Sequence, residues 1–196
     1  MKSWKFFVFL LSVKLIFPDE NPFGKFHQFL KSKENSILTL EIYQKQFDKI
    51  HKSFGSLQFV SQDHYIFDDQ NQRIIYEGKT IKTINKNSRQ IIYDSHINGD
   101  FNILDILTGK NIDIEIKDQK IEDNQSRTSF FIANFNIPGV LWTKIDTGEI
   151  KKVRLIADED LEIEISVLAS NYNINGSLAS IDTLGYEIIN LREQTF

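Results

Sequence analysis

Gly78-Lys79-Thr80 is where this 196-residue chain comes nearest to a phosphate-binding loop. Such a loop needs an earlier glycine so that backbone amides can cradle phosphate oxygens, and the position that should hold it is Arg73. No parallel strand–loop–helix pattern surrounds the segment, so it reads as a polar turn. Asp158-Glu159-Asp160, followed by Glu162 and Glu164, is a second chemical signal. A calcium loop needs a central glycine and fixed ligand spacing, and both are missing. The run reads as a hairpin tip leading into a solvated strand face. Asp68 and Asp69 form a carboxylate pair. Adjacent strand residues point to opposite faces, so the two cannot share a proton, and a turn is the simpler reading. His27, His51, His64 and His96 are scattered, with no H-x-x-x-H pair for a metal. No G-x-S-x-G elbow frames a serine nucleophile. Cysteine is absent, which removes disulfides, thiolate metal sites, thiol catalysis and a lipid-modified cysteine. The chain therefore reads as a non-enzyme with no cofactor and no metal.

The net charge of -4 and pI near 5.6 argue against nucleic acid as a partner, because neutralising phosphates requires a basic surface. Residues 1–17 read as a signal peptide. Lys2 and Lys5 flank Trp4, and the apolar stretch from Phe6 to Val13 is extended by Leu15-Ile16-Phe17. The stretch is shorter than the roughly 20 apolar residues a bilayer span needs. No A-x-A cleavage site is present, and an uncleaved amphipathic anchor is the alternative. Residues 18–196 read as a single domain.

Phe23, Phe26, Phe29 and Leu30 then recur at helical spacing, with Pro22 suited to a first turn. From Ser36 the period changes to two. Segments 37–47, 52–61, 65–68, 73–77, 80–84 and 89–94 read as strands joined by short polar turns, an antiparallel meander. Phe101, Ile103, Leu104 and Leu107 return to helical offsets, with Asp100 as the expected N-cap and Gly109 just past the end. Strands resume at Ile112. Thr128 to Ile137 reads as one long strand, Pro138-Gly139 as a turn or kink, and 141–157 as a hairpin turning at Thr147-Gly148. Leu161, Ile163, Ile165 and Val167 alternate with polar residues. Tyr186–Leu191 closes the chain as a last strand.

A meander this wide curls as its twist accumulates, and its concave face must meet something apolar. Two short helices hardly fill it. A partly open barrel covered by helices leaves room for an apolar guest, whereas a β-sandwich would bury the same side chains with no cavity. The expected class is mainly β with short helices: a curved antiparallel sheet forming an unclosed half-barrel under a helical lid.

The order of motifs carries a resemblance to a known family. F-G-S-L-Q-F at 54–59 precedes Tyr65-x-Phe67, then Glu77-Gly78-Lys79-Thr80-Ile81, a Q-containing strand near 90, the short apolar helix at 101–107 and the tail Gly185-Tyr186-Glu187-Ile188-Ile189. This series resembles the LolA family, the periplasmic carriers of outer-membrane lipoproteins. The resemblance covers residues 23–168 and the tail. It departs at two places. The family's Arg-Pro pair, whose arginine helps latch the lid, is Ser61-Gln62 here, and its usual tryptophan after the Gly-Lys turn is Lys82. The resemblance implies an acyl cavity lined by Leu57, Phe59, Tyr65 and Phe67, and a lid made of Phe26 and Phe29 with Phe101, Ile103, Leu104 and Leu107. It implies a monomer in the periplasm that takes acylated lipoproteins from an inner-membrane ABC-type release complex and gives them to an outer-membrane acceptor. A lipid- or lipoprotein-sensing regulatory module of the same fold is the alternative. The related receptor LolB is normally anchored through a cysteine, which this chain lacks.

Overall fold

A computed structural model describes residues 22–32, 35–61, 63–96, 102–109, 113–158, 160–172, 174, 176 and 178–192. The expected signal peptide and Phe101 lie outside the described residues. A helix, α1 (Pro22–Lys31), is followed by β1 (Ser36–Gln46), β2 (Lys49–Ser61), β3 (His64–Asp69), β4 (Gln72–Glu77), β5 (Thr80–Asn85) and β6 (Gln90–Ser95). Then come α2 (Ile103–Leu107), β7 (Ile114–Glu122), β8 (Gln125–Ile132), β9 (Ile137–Lys144), β10 (Ile150–Asp158), β11 (Leu161–Asn171) and β12 (Glu187–Asn190).

All twelve strands join one sheet in the order β12-β6-β5-β4-β3-β2-β1-β11-β10-β9-β8-β7. β1 and β11 form the central seam, and the two meanders spread away from it. The pairs are antiparallel except β12, which lies parallel to β6. The edge strands β7 and β12 do not pair with each other, so the sheet is unclosed.

Strand periodicity divides the sheet into two faces. Leu38 and Leu40 on β1, Leu57 on β2, Phe130 and Ile132 on β8, and Val153 and Leu155 on β10 are buried on the inner face. Their neighbours Arg127, Trp142 and Arg154 lie on the outer face, where both arginines and Lys152 approach the Trp142 ring. Each fully buried aliphatic or aromatic side chain contributes about 1.5–3 kcal/mol.

The strand expected over 128–137 is broken. Ala133–Phe135 form a turn of 3-10 helix, and Asn136 takes a left-handed conformation that starts β9 in the opposite direction. Asparagine tolerates that conformation better than most residues. Pro138-Gly139, expected as a turn, instead lies within β9, opposite Phe131 and Phe130. A Cβ on Gly139 would come within 2.3 Å of the Phe130 ring, so this glycine serves a close approach and not a bend.

Both helices lie against the inner face. Phe26 and Leu30 of α1, and Leu104, Ile106 and Leu107 of α2, join the same apolar cluster as the sheet residues. The backbone of α1 rests on Gly148 in the β9–β10 turn, where an added Cβ would sit 2.6 Å from the Lys25 carbonyl carbon. A five-residue helix such as α2 would not persist alone. Burial of its apolar side chains holds it, together with a capping box: the Asn102 side chain accepts from the Leu104 amide, and Asp105 accepts from the Asn102 amide, each at 3.0 Å. The cap is therefore Asn102 and not Asp100, which is outside the described residues.

The segment after β11 crosses the outer face. Gln58 donates to the Gly176 carbonyl at 3.1 Å and accepts from the Leu178 amide at 3.0 Å. Arg73 holds Asp68 through two nitrogens, each at 3.0 Å, and donates to the Ala179 carbonyl at 2.6 Å. Burial alone would raise the Asp68 carboxyl, but hydrogen bonds from Arg73 and Lys86 outweigh it and leave it below its ordinary range. Asp69 caps the β3–β4 turn by accepting from Asn71 and Gln72, so neither carboxylate acts on the other.

Candidate functional site

The inner face of β2 and β3 holds the residues the sequence singles out. Leu57 stands opposite Leu38 on one side and Phe67 on the other, and Phe59 stands between Ser36 and Tyr65. All four expected cavity residues are buried. Leu57, Tyr65 and Phe67 share one cluster with Phe26, Leu104 and Leu107, while Phe29 and Ile103 pack against it. Phe59 is buried beside them but is not part of that cluster. Most of the expected wall and cover residues thus belong to one apolar cluster or pack against it.

Three features of the site have no counterpart in the sequence reading. The first is a polar group in the apolar cluster. Asp105 of α2 is buried, and its charge acts on Tyr65. Burial first, then Asp105 and Tyr76, push the Tyr65 hydroxyl well above its ordinary value, so it stays protonated across the physiological range. The N-x-x-D spacing of Asn102 and Asp105 was the available signal.

The second is a cleft of about 570 Å³ between α1 and the β9–β10 turn. Lys25, Gln28 and Phe29 line it from α1, and Thr147, Glu149 and Tyr172 from the sheet side. Phe29 and Tyr172 meet edge to face at 5.3 Å. Glu149 forms ion pairs with Lys144 and, at 3.0 Å, with Lys151, and accepts from Ser170. Burial would raise the Glu149 carboxyl, but hydrogen bonds from the two lysines leave it below its ordinary value. Burial, with the Glu149 charge beside it, pushes the Tyr172 hydroxyl up to about 12. Glu149 and Tyr172 lie far from Phe29 along the chain, and only the fold joins them.

The third is a group of hydroxyls, Ser126, Thr128 and Thr143, buried on the inner face of β8 and β9.

No family model matches the chain, and no curated protein matches it. Among solved structures, an uncharacterized conserved protein from Thermus thermophilus superposes with a TM-score of 0.57 at 6% identity, covering 86% of this chain and 96% of that one. That is a shared fold at an identity too low to carry function. A LolA superfamily protein from Nitrosomonas europaea superposes at 0.47 with 8% identity, over 79% of this chain and 93% of that one. A DUF1329 family protein from Desulfovibrio piger gives 0.48 and 9%, over 80% and 93%. Superpositions this loose define neither a family nor a ligand.

Proposed function

We propose that this chain is a periplasmic carrier of acylated lipoproteins. Acyl chains bind against Leu57, Phe59, Tyr65 and Phe67, and α1 and α2 form a two-part lid, with Phe26 and Phe29 on one part and Ile103, Leu104 and Leu107 on the other. Phe101, which lies outside the described residues, belongs to the second part by its place in the sequence motif. An inner-membrane ABC-type release complex supplies the cargo and an outer-membrane acceptor receives it. No covalent step occurs on this chain.

One observation carries the reading. Helices of only ten and five residues lie against the inner face of a twelve-stranded open sheet, and their apolar side chains share one cluster with Leu57, Tyr65 and Phe67. Helices this short, one of them resting on a glycine turn, are held by tertiary contacts that an acyl chain can replace in kind. Each buried methylene returns about 0.8 kcal/mol. The ordered motif series at 54–109 supplies the class of cargo. Among the described residues no helix is long and apolar enough to cross a membrane.

Native mass spectrometry with a triacylated lipopeptide and its deacylated form tests this. A one-to-one complex with the acylated form alone is expected. No complex with either would end the carrier reading.

A further inference from the structure

The polar groups buried on the inner face of the sheet are concentrated at one corner. Ser126 and Thr128 lie two apart on β8, and Thr143 stands directly opposite Ser126 on β9. All three are buried, Thr128 completely. Among the described residues the Thr128 hydroxyl has no hydrogen-bond partner. Leaving a buried donor unpaired is costly, and valine would fill the same volume without that cost. Gln119 of β7, opposite Thr128, donates to the Ser126 hydroxyl at 3.3 Å, which leaves the Ser126 proton to donate elsewhere.

The corner borders the open edge of the sheet. Ile121, paired with Ser126, is 70% exposed, and Ile116, paired with Phe130, is 38% exposed. Both belong to the inner face, because they share it with their partners on β8. A ligand reaching the hydroxyls from this edge would pass over two isoleucines. The arrangement is amphipathic on a scale of a few ångströms, with hydroxyl donors next to uncovered aliphatic surface.

We infer that Ser126, Thr128 and Thr143 form a subsite for the carbonyl oxygens of ester- or amide-linked acyl chains, with Ile116 and Ile121 bordering its entry at the sheet edge. Thr128 donates to a carbonyl oxygen and is the specificity-determining residue. The inference rests on the carrier reading and adds to it: the protein selects acyl linkages over ether linkages, in which no carbonyl is present. The three hydroxyls offer donors, and a carbonyl is the acceptor that every acyl chain carries at its polar end.

The test compares a diacylglyceryl lipopeptide with its dialkyl ether analogue of equal chain length, by calorimetric titration of the wild type, Thr128→Val and Thr128→Ser. The wild type should prefer the ester probe by about two- to tenfold, the range one neutral hydrogen bond supplies. Thr128→Val should bind the two probes equally, and Thr128→Ser should restore the preference. Ser126→Ala provides a second reading should Thr128→Val fail to fold, and it should reduce the preference. A Thr128→Val protein that keeps the full ester preference, or a wild type with none, would overturn the subsite while leaving the carrier intact. A wild type that binds neither probe would remove both.

Discussion

Tyr65 and Tyr76 face each other across the β3–β4 ladder, with ring centroids 5.0 Å apart and planes only 5° from parallel. His96 closes the stack by meeting Tyr76 edge to face at 5.5 Å. The stack fills part of the inner face that the carrier reading assigns to acyl chains. A pair of rings contributes about 0.5–1.5 kcal/mol beyond its buried area, and a bound chain would have to give up or work around that contact.

Tyr65→Leu therefore separates retention from folding. The substitution keeps an apolar side chain and removes both the stack and the hydroxyl beside Asp105. Dissociation of a fluorescent triacylated lipopeptide should slow about three- to tenfold, which corresponds to the stacking energy transferred to the complex. An unchanged dissociation rate would show that the rings take no part in release.

Phe67 calls for a different substitution from the one the sequence invites. As a lining residue of an open acyl cavity it would accept a charge, and Phe67→Glu would block loading in a folded protein. In the structure it is 5% exposed and belongs to the central cluster. Glu at that place loses the ring and buries a carboxyl, at a combined cost of at least about 3–5 kcal/mol. Phe67→Glu should thus melt far below the wild type, whereas Phe67→Leu should stay folded. A Phe67→Glu protein with a wild-type thermal transition would mean that the inner face stands open in solution.

Gly148→Ala tests how α1 is seated. Gly148 has a φ of +73°, and its missing Cβ leaves room for the backbone of Lys25 and Phe26. For alanine the left-handed conformation costs about 1–2 kcal/mol, and the added methyl must also push α1 away. The expected result is a loss of stability above that strain, with stronger binding of a hydrophobic dye to the inner face and faster lipopeptide loading. Should loading stay at the wild-type rate while stability falls, α1 would be a fixed part of the fold and not a lid.

The strands were legible because their alternation survives in the sequence: Leu161 to Val167 and the Tyr65-x-Phe67 pair occupy the faces the pattern assigns. The helices were legible from helical spacing at Phe26, Phe29 and Leu30. What failed was local chemistry whose purpose is tertiary. Pro138-Gly139 looks like a turn in any short window, and only Phe130 across the ladder explains the glycine. The break after Ile132 depends on one left-handed asparagine that propensity alone does not mark. The cleft beside α1 joins Phe29 with Tyr172, residues from opposite ends of the chain, and no spacing rule connects them. Thr128 reads as an ordinary strand residue, and its unpaired hydroxyl exists only once the fold has buried it.

Acid should weaken the fold in two separate windows. His27 on α1 titrates below its ordinary value of 6.5, because burial disfavours its charged form and Lys31 adds repulsion. The unfolded chain therefore binds that proton more readily than the folded one, and stability falls as pH drops below 6.5 toward the folded value. Asp68 and Glu149 are lowered from 3.8 and 4.5, so their stabilisation is complete above those values and disappears as pH falls through their folded values. Thermal melts from about pH 7.5 to about pH 3 should then show a first decline that His27→Gln flattens and a second, steeper one that it leaves in place. Glu149→Gln should flatten part of the second decline. It should also lower the melting temperature at neutral pH, since two lysines lose a charged acceptor. A Glu149→Gln protein as stable as the wild type at neutral pH would mean that the ion pairs with Lys144 and Lys151 contribute nothing to stability.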